Sequence, residues 1–211
     1  MAVPPPPGPA EADPLVVAWE ADKPIVRVHP ARYLPSQFNP EGKSARFRPF
    51  TDAGATVPTM YGAVDFDGAL SETVFHDLPR PAAGQVVTHA ALYPLVRSQV
   101  IPTRNLKLVL LAGYGLDRLK VTREQLIMSP PEEYAQIARW GESLYHCHER
   151  PDGLLWVSRQ YELSPAVMLF GGRVHEHELK FDYPDILPLW TGPGLVDVMQ
   201  AAAKAGITIS T

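Results

Sequence analysis

The chain has 211 residues, 45% hydrophobic and 20% charged, a balance that supports one well-filled folded core and argues against wholesale disorder. Nineteen Lys and Arg stand against twenty-three Asp and Glu, and the net charge of −4 offers no general attraction to a phosphate backbone. The single cysteine, Cys147, excludes an intramolecular disulfide, and no apolar run approaches the roughly 20 residues that a membrane helix needs. Six of the twenty-three prolines fall within residues 1–14, a stretch too rich in fixed φ angles to nucleate a helix, so this segment reads as a disordered or loosely attached arm. It lacks the basic residue that proline-rich ligands of SH3-type domains carry. It also lacks a basic stretch followed by an apolar one, so it does not read as a secretory signal, and the expected location is the cytoplasm.

Residues 15–211 read as one folded domain. Residues 25–29 (IVRVH) alternate as a strand, with Ile25, Arg27 and His29 on one face and Val26 and Val28 on the other. Prolines 30, 35 and 40 then punctuate a loop that leads to Arg46. Residues 60–64 (MYGAV) read as a short strand, and Asp67 as the cap of a helix over 68–76. On that helix Glu72 lies about 200° from both Leu70 and Val74, so burial of those two points Glu72 away from the core. Residues 86–92 and 106–112 are further strands. Thr122 with Gln125, and Ser129 with Glu132 behind two prolines, each read as capping boxes, the second opening a helix from Tyr134 towards His148. Residues 154–157 (LLWV) form a buried strand that delivers Ser158 at its end. Strands at 166–170 and 174–179 follow, and a last helix opens at Pro193-Gly194 and stops at Gly206. Strands interleaved with a few helices give an α+β class, with central mixed or antiparallel sheets and flanking helices.

Two histidine clusters raise the question of a metal. His146 and His148 stand two apart at a helix end, about 200° around the axis, and cannot share one ion without unwinding it. His175 and His177 share a face of the expected strand, and the plain reading is that they face solvent. No metal site is assigned. Nucleotide-binding glycine signatures, zinc-protease signatures and the serine-hydrolase elbow are absent from the sequence. What remains are polar residues where a half-buried framework does not require them: Arg27, Arg46, Tyr61, Glu72 and Ser158. Two guanidiniums suit bidentate phosphate recognition, an aromatic ring suits stacking, and a carboxylate can stabilise a developing oxocarbenium ion. On residue chemistry alone, an Arg27–Glu72 structural ion pair, a core tyrosine and a turn-forming serine account for them equally well.

In their order and spacing these residues resemble the RES-domain family, named for its Arg, Glu and Ser. The matching segments are IVRVHP around Arg27, GKSARF around Arg46, MYGAVDFDGALSETVFH with Tyr61 and Glu72, and DGLLWVSRQ with Ser158, preceded by the helix YAQIARWGESLY. The resemblance implies a fold similar to that of ADP-ribosyltransferases and a toxin of a toxin–antitoxin pair that acts on NAD+. It implies cleavage of the nicotinamide–ribose bond, by hydrolysis or phosphorolysis, or transfer of ADP-ribose to a protein. A non-catalytic RES-like binding module is the reading from another class. Carried over by motif, Arg27 and Arg46 would hold the pyrophosphate or ribose side, and Tyr61 would border the nicotinamide. Glu72 would orient the ribose hydroxyls and stabilise charge at C1′, and Ser158 would complete the pocket. NAD+ would then be a substrate and not a cofactor, with inorganic phosphate as a second substrate in phosphorolysis. The partner would be a cognate antitoxin, through which alone nucleic acid would be met.

Overall fold

In the computed structural model, which describes residues 2–42, 45–79 and 81–210, alternating burial along the middle of the chain resolves into one large sheet. The elements run β1 (Val16–Trp19), β2 (Ile25–Pro30), β3 (Phe50–Asp52), β4 (Ala55–Val57), β5 (Thr59–Ala63), α1 (Phe66–Ser71), β6 (Val86–Thr88), β7 (Leu95–Pro102) and β8 (Leu106–Leu110). Three helices follow, α2 (Tyr114–Arg118), α3 (Arg123–Leu126) and α4 (Tyr134–His146). The chain ends with β9 (Gly153–Val157), β10 (Pro165–Phe170), β11 (Leu179–Lys180), β12 (Leu187–Pro188), α5 (Gly192–Ala205) and β13 (Thr208–Ser210). Nine strands form a mixed sheet in the order β1-β8-β9-β10-β5-β2-β7-β11, with β12 also on β7. Strands β8 and β9 run parallel, and the other described neighbours in this sheet run antiparallel. This is the expected α+β class in a single domain.

The sheet is held by side chains at period two. Along β10, Ala166, Met168 and Phe170 join a cluster with Ile137, Trp140 and Leu144 of α4, while Val167 and Leu169 join Met60, Leu106 and Leu108 in another. A third cluster packs α1 and α5 together through Leu70, Phe75, Val198 and Ala202. No helix among the described residues is long and apolar enough to cross a membrane.

One join in the sheet is incomplete. Strand β2 pairs with β7 over six residues, from Ile25↔Val100 to Pro30↔Leu95, but with β5 through the single pair Val26↔Ala63. At that pair the strands approach closely because position 62 is glycine: a Cβ there would lie 2.4 Å from Ile25 Cγ2 and 2.8 Å from the Val26 carbonyl oxygen. Away from it they part, and Asn39 takes the place of β2 beside β5. The Asn39 N–H donates to the Thr59 carbonyl at 2.9 Å and the Thr59 N–H to that of Asn39 at 3.1 Å. The notch so opened forms a cleft.

Several local expectations are corrected. The proline-rich arm, apart from Met1, which lies outside the described residues, packs along α4. Val3 enters the cluster under that helix, Trp140 Nε1 donates to the Pro4 carbonyl at 2.9 Å, and Ser143 Oγ to that of Pro7 at 2.6 Å. An extended proline segment makes no internal hydrogen bonds, so its carbonyls are free to accept from a helix face. Helix α1 is capped by Asp65, whose Oδ1 accepts the Gly68 N–H at 2.7 Å; Asp67 instead pairs with Lys204 at 2.7 Å. The helix stops at Ser71, and Glu72 is its C-cap. Ser129 caps nothing: its hydroxyl donates back to the Gln125 carbonyl. A proline disfavours helical backbone in the residue before it, so Pro130, preceding Pro131, stays extended and becomes the cap. Residues 174–179 are not a strand. Glu178 Oε2 accepts the His175 N–H at 2.8 Å, closing a short 3-10 turn over Glu176–Glu178, and only Leu179–Lys180 pair with β7. The expected strand over 86–92 likewise ends at Thr88 and turns into a 3-10 segment.

Candidate active site

The notch between β2 and β5 is a cleft of about 260 Å³ whose walls include Arg27, His29, Arg46, Tyr61, Glu72 and His76. Four of the five polar residues singled out in the sequence thus meet there. The fifth, Ser158, is fully buried behind it and reaches Glu72 through a hydrogen bond.

Each is placed by its element. Arg27 sits in β2 where the sheet divides, and its guanidinium spans the gap. Nε donates to the Tyr61 carbonyl at 3.2 Å, and Nη1 to the carbonyl of Pro35 and, at 3.4 Å, to that of Gln37. Burial pulls its pKa down to about 9, which leaves it cationic at neutral pH. Arg46 is positioned by its neighbour Phe47, which is buried against Trp156 at 5.6 Å and donates its N–H to Tyr61 Oη at 2.9 Å. Lys43 and Ser44 of the same sequence segment lie outside the described residues. Arg46 is 2% exposed; its guanidinium lies 5.4 Å from the Tyr134 ring, and its Nε and Nη2 have no hydrogen-bond partner among the described residues. Tyr61 packs edge-on against Trp156 at 5.9 Å, and burial raises its phenol pKa, opposed by the Phe47 N–H.

Glu72 projects from the C-cap of α1. Its Oε1 accepts from Ser158 Oγ at 2.7 Å and from the Arg159 N–H at 3.2 Å. The Ser158 hydroxyl in turn accepts the Tyr161 N–H at 3.2 Å, so the end of β9 holds the carboxylate in one orientation. Arg27 donates through Nε and Nη1 to three backbone carbonyls, and among the described residues no Arg27–Glu72 ion pair accounts for either residue.

Two cleft groups and one residue beside the cleft were not legible in the sequence. His29 is buried, with Nδ1 3.1 Å from the Pro30 carbonyl and Nε2 2.8 Å from Ser98 Oγ. Burial first, then the charge of Arg27, push its pKa down to about 4, so it is neutral at pH 7. His76 lies beside Asp77 at the cleft wall, and Tyr134, the first residue of α4, sits between His76 and Arg46. A lone histidine after an apolar helix carries no pattern; the turn that follows Glu72 brings it into the cleft. His175 and His177 stack on one another at 5.5 Å, and no group of three or more His, Cys, Asp or Glu among the described residues is placed to hold a metal ion.

The chemistry on offer is a cationic group with unpartnered donors, an oriented carboxylate and an aromatic wall. That set suits a ligand joining phosphate to a group leaving from a ribose-like centre. Comparison with known proteins agrees with the fold. A model of the RES domain matches residues 24–190. The crystal structure of the M. tuberculosis MbcT–MbcA toxin–antitoxin complex contains a chain with a TM-score of 0.60 and 12% identity, covering 88% of this chain and 92% of that one. A search of curated proteins finds no match.

Proposed function

The chain belongs to the RES-domain family, and from that premise we propose that it is the toxin of a toxin–antitoxin pair and cleaves NAD+ between nicotinamide and the ribose C1′. The observation that carries this reading is Arg46, which lines the same cleft as the oriented Glu72 carboxylate and has two buried guanidinium nitrogens without a hydrogen-bond partner among the described residues. A buried charge without hydrogen-bond partners is unfavourable, and a bound pyrophosphate supplies both the missing acceptors and the opposite charge.

In this mechanism Arg46 holds the pyrophosphate while Tyr61, backed by the buried Trp156, forms the aromatic side that borders nicotinamide. Glu72, fixed by Ser158 and the Arg159 N–H, sets its negative charge beside the ribose as C1′ becomes positive. The C1′–N bond breaks with its electron pair passing to the pyridinium nitrogen, so nicotinamide leaves neutral and needs no strong acid. NAD+ is substrate; water or inorganic phosphate is the acceptor. The MbcT–MbcA structure is titled a toxin–antitoxin complex, and this supports a protein antitoxin as partner here. The cytoplasm, where NAD+ and such a partner are available, is the location proposed.

The test is purified protein with NAD+, with and without inorganic phosphate, separating nicotinamide and the ribosyl product by chromatography. Nicotinamide release that disappears in Glu72→Gln is expected. Release that depends on phosphate identifies phosphorolysis, and release without phosphate identifies hydrolysis. Absence of release under both conditions overturns the reading in favour of a binding module or a protein-directed transferase.

A further inference from the structure

Glu72 is not the only reactive side chain that the segment 158–160 holds against the cleft. The carbonyl of His76 accepts from the Arg159 guanidinium and from Gln160 Nε2 at 3.3 Å, and Gln160 Nε2 also donates to the Leu78 carbonyl at 2.8 Å. Ser158 and the Arg159 N–H hold Glu72. One short segment therefore fixes the backbone beneath His76 and the carboxylate of Glu72, and so their spacing. The imidazole lines the cleft, with its side chain 15% exposed.

The ring is also oriented. Nδ1 lies 2.8 Å from Asp77 Oδ1, so Nδ1–H donates to the carboxylate and the lone pair is left on Nε2. Nε2 faces Tyr134 Oη at 3.4 Å, longer than the usual 2.7–3.2 Å for such a bond. That contact is weak enough for a small acceptor molecule to displace. Glu72 already accepts two hydrogen bonds on Oε1 and serves the cleavage as a fixed negative charge. The other half of the reaction needs a neutral group that can take a proton.

We propose that His76 is the general base that deprotonates the acceptor, with Asp77 fixing its tautomer; this rests on the NAD+ reading above. With water, Nε2 takes one proton as the oxygen forms its bond to C1′. The C1′–N bond breaks and its electron pair goes to the nicotinamide nitrogen. ADP-ribose and nicotinamide leave, and the imidazolium returns its proton to solvent.

The experiment follows nicotinamide release by the full chain, by His76→Ala and by Asp77→Asn, in buffer alone and with sodium azide, with thermal melting as a check of the fold. Azide attacks carbon with no proton to lose. His76→Ala should lower kcat for hydrolysis about 10²- to 10⁴-fold with the KM for NAD+ changed by less than about twofold. Azide should restore nicotinamide release in that variant and yield the azido-ADP-ribose product, which a merely structural role would not do. Asp77→Asn, at an exposed side chain where misfolding is not expected, should fall between wild type and His76→Ala. Full hydrolysis by His76→Ala overturns the proposal, as does a loss in a folded variant that azide does not relieve. Both of those results leave nicotinamide release by the wild type intact; its absence there, both with and without inorganic phosphate, overturns the NAD+ reading, and this proposal with it.

Discussion

The two guanidiniums of the cleft have the same chemistry and opposite circumstances. Arg27 donates to carbonyls of Tyr61, Pro35 and Gln37 and so ties β2, β5 and the intervening loop across the divided sheet. Arg46 is as deeply buried, but two of its nitrogens have no hydrogen-bond partner among the described residues. The family resemblance assigns both to NAD+; the hydrogen bonds give them different work. Replacing Arg27 by Met strands buried carbonyls and should lower unfolding stability by about 2–4 kcal/mol. Replacing Arg46 by Met removes a charge that the free protein does not satisfy. Stability should hold within about 1 kcal/mol or rise, while the KM for NAD+ increases at least about tenfold. Urea unfolding of the two variants beside their steady-state kinetics decides the matter. Equal destabilisation by both substitutions would mean that Arg46 is also a structural tie, and would remove the observation on which its role in binding rests.

Among elements, the cleft depends on how β2 and β5 meet and then separate. Gly62 permits the close end of that meeting, because a methyl group would strike Ile25 Cγ2 and the Val26 carbonyl. Gly62→Ala should therefore push the strands apart at their only described ladder pair and cost about 1–3 kcal/mol. It should also lower kcat by moving Tyr61, the residue before it, relative to Arg27. A melting temperature and kcat matching wild type would show that the join tolerates spreading and does not set the cleft. The sequence disclosed this arrangement unevenly. The Thr122–Gln125 box and the Gly206 stop carry local signals that the structure keeps, since each depends on hydrogen bonds within a few residues, and the strand that leads to Ser158 was legible from its short, continuous apolar run. Strand β7 went unread although Val96, Ser98, Val100 and Pro102 are its buried set, because Arg97, Ser98 and Gln99 mask the alternation. The partial pairing of β2 with β5 has no local signature at all. It results from which strands lie side by side, a property of the assembled sheet.

At the scale of the whole molecule, the site residues were found through residue identity and family spacing, whereas His76, Tyr134 and the seating of the arm depend on contacts between distant parts of the chain. Tyr134 stands at the start of α4 beside the cleft, and the arm lies farther along the same helix, on Trp140 and Ser143. The arm also adds Val3 to the main cluster and joins Asp13 to Arg118. Removing residues 2–14 would uncover that apolar surface and leave the Trp140 indole N–H and the Ser143 hydroxyl without their acceptors. Water can reach them once the arm is gone, so the loss should be moderate, about 2–4 kcal/mol, with most of it from apolar burial and the two hydrogen bonds and little from the exposed ion pair. Because the seat is more than one helical turn beyond Tyr134, the KM for NAD+ should stay within about twofold. Urea unfolding and kinetics of residues 15–211 against the full chain test both halves. A shortened chain as stable as the full one would return the arm to a loose appendage. A large rise in KM with stability unchanged would show instead that α4 transmits the arm's contact to Tyr134 and Arg46, and that the arm belongs to the working parts of the cleft.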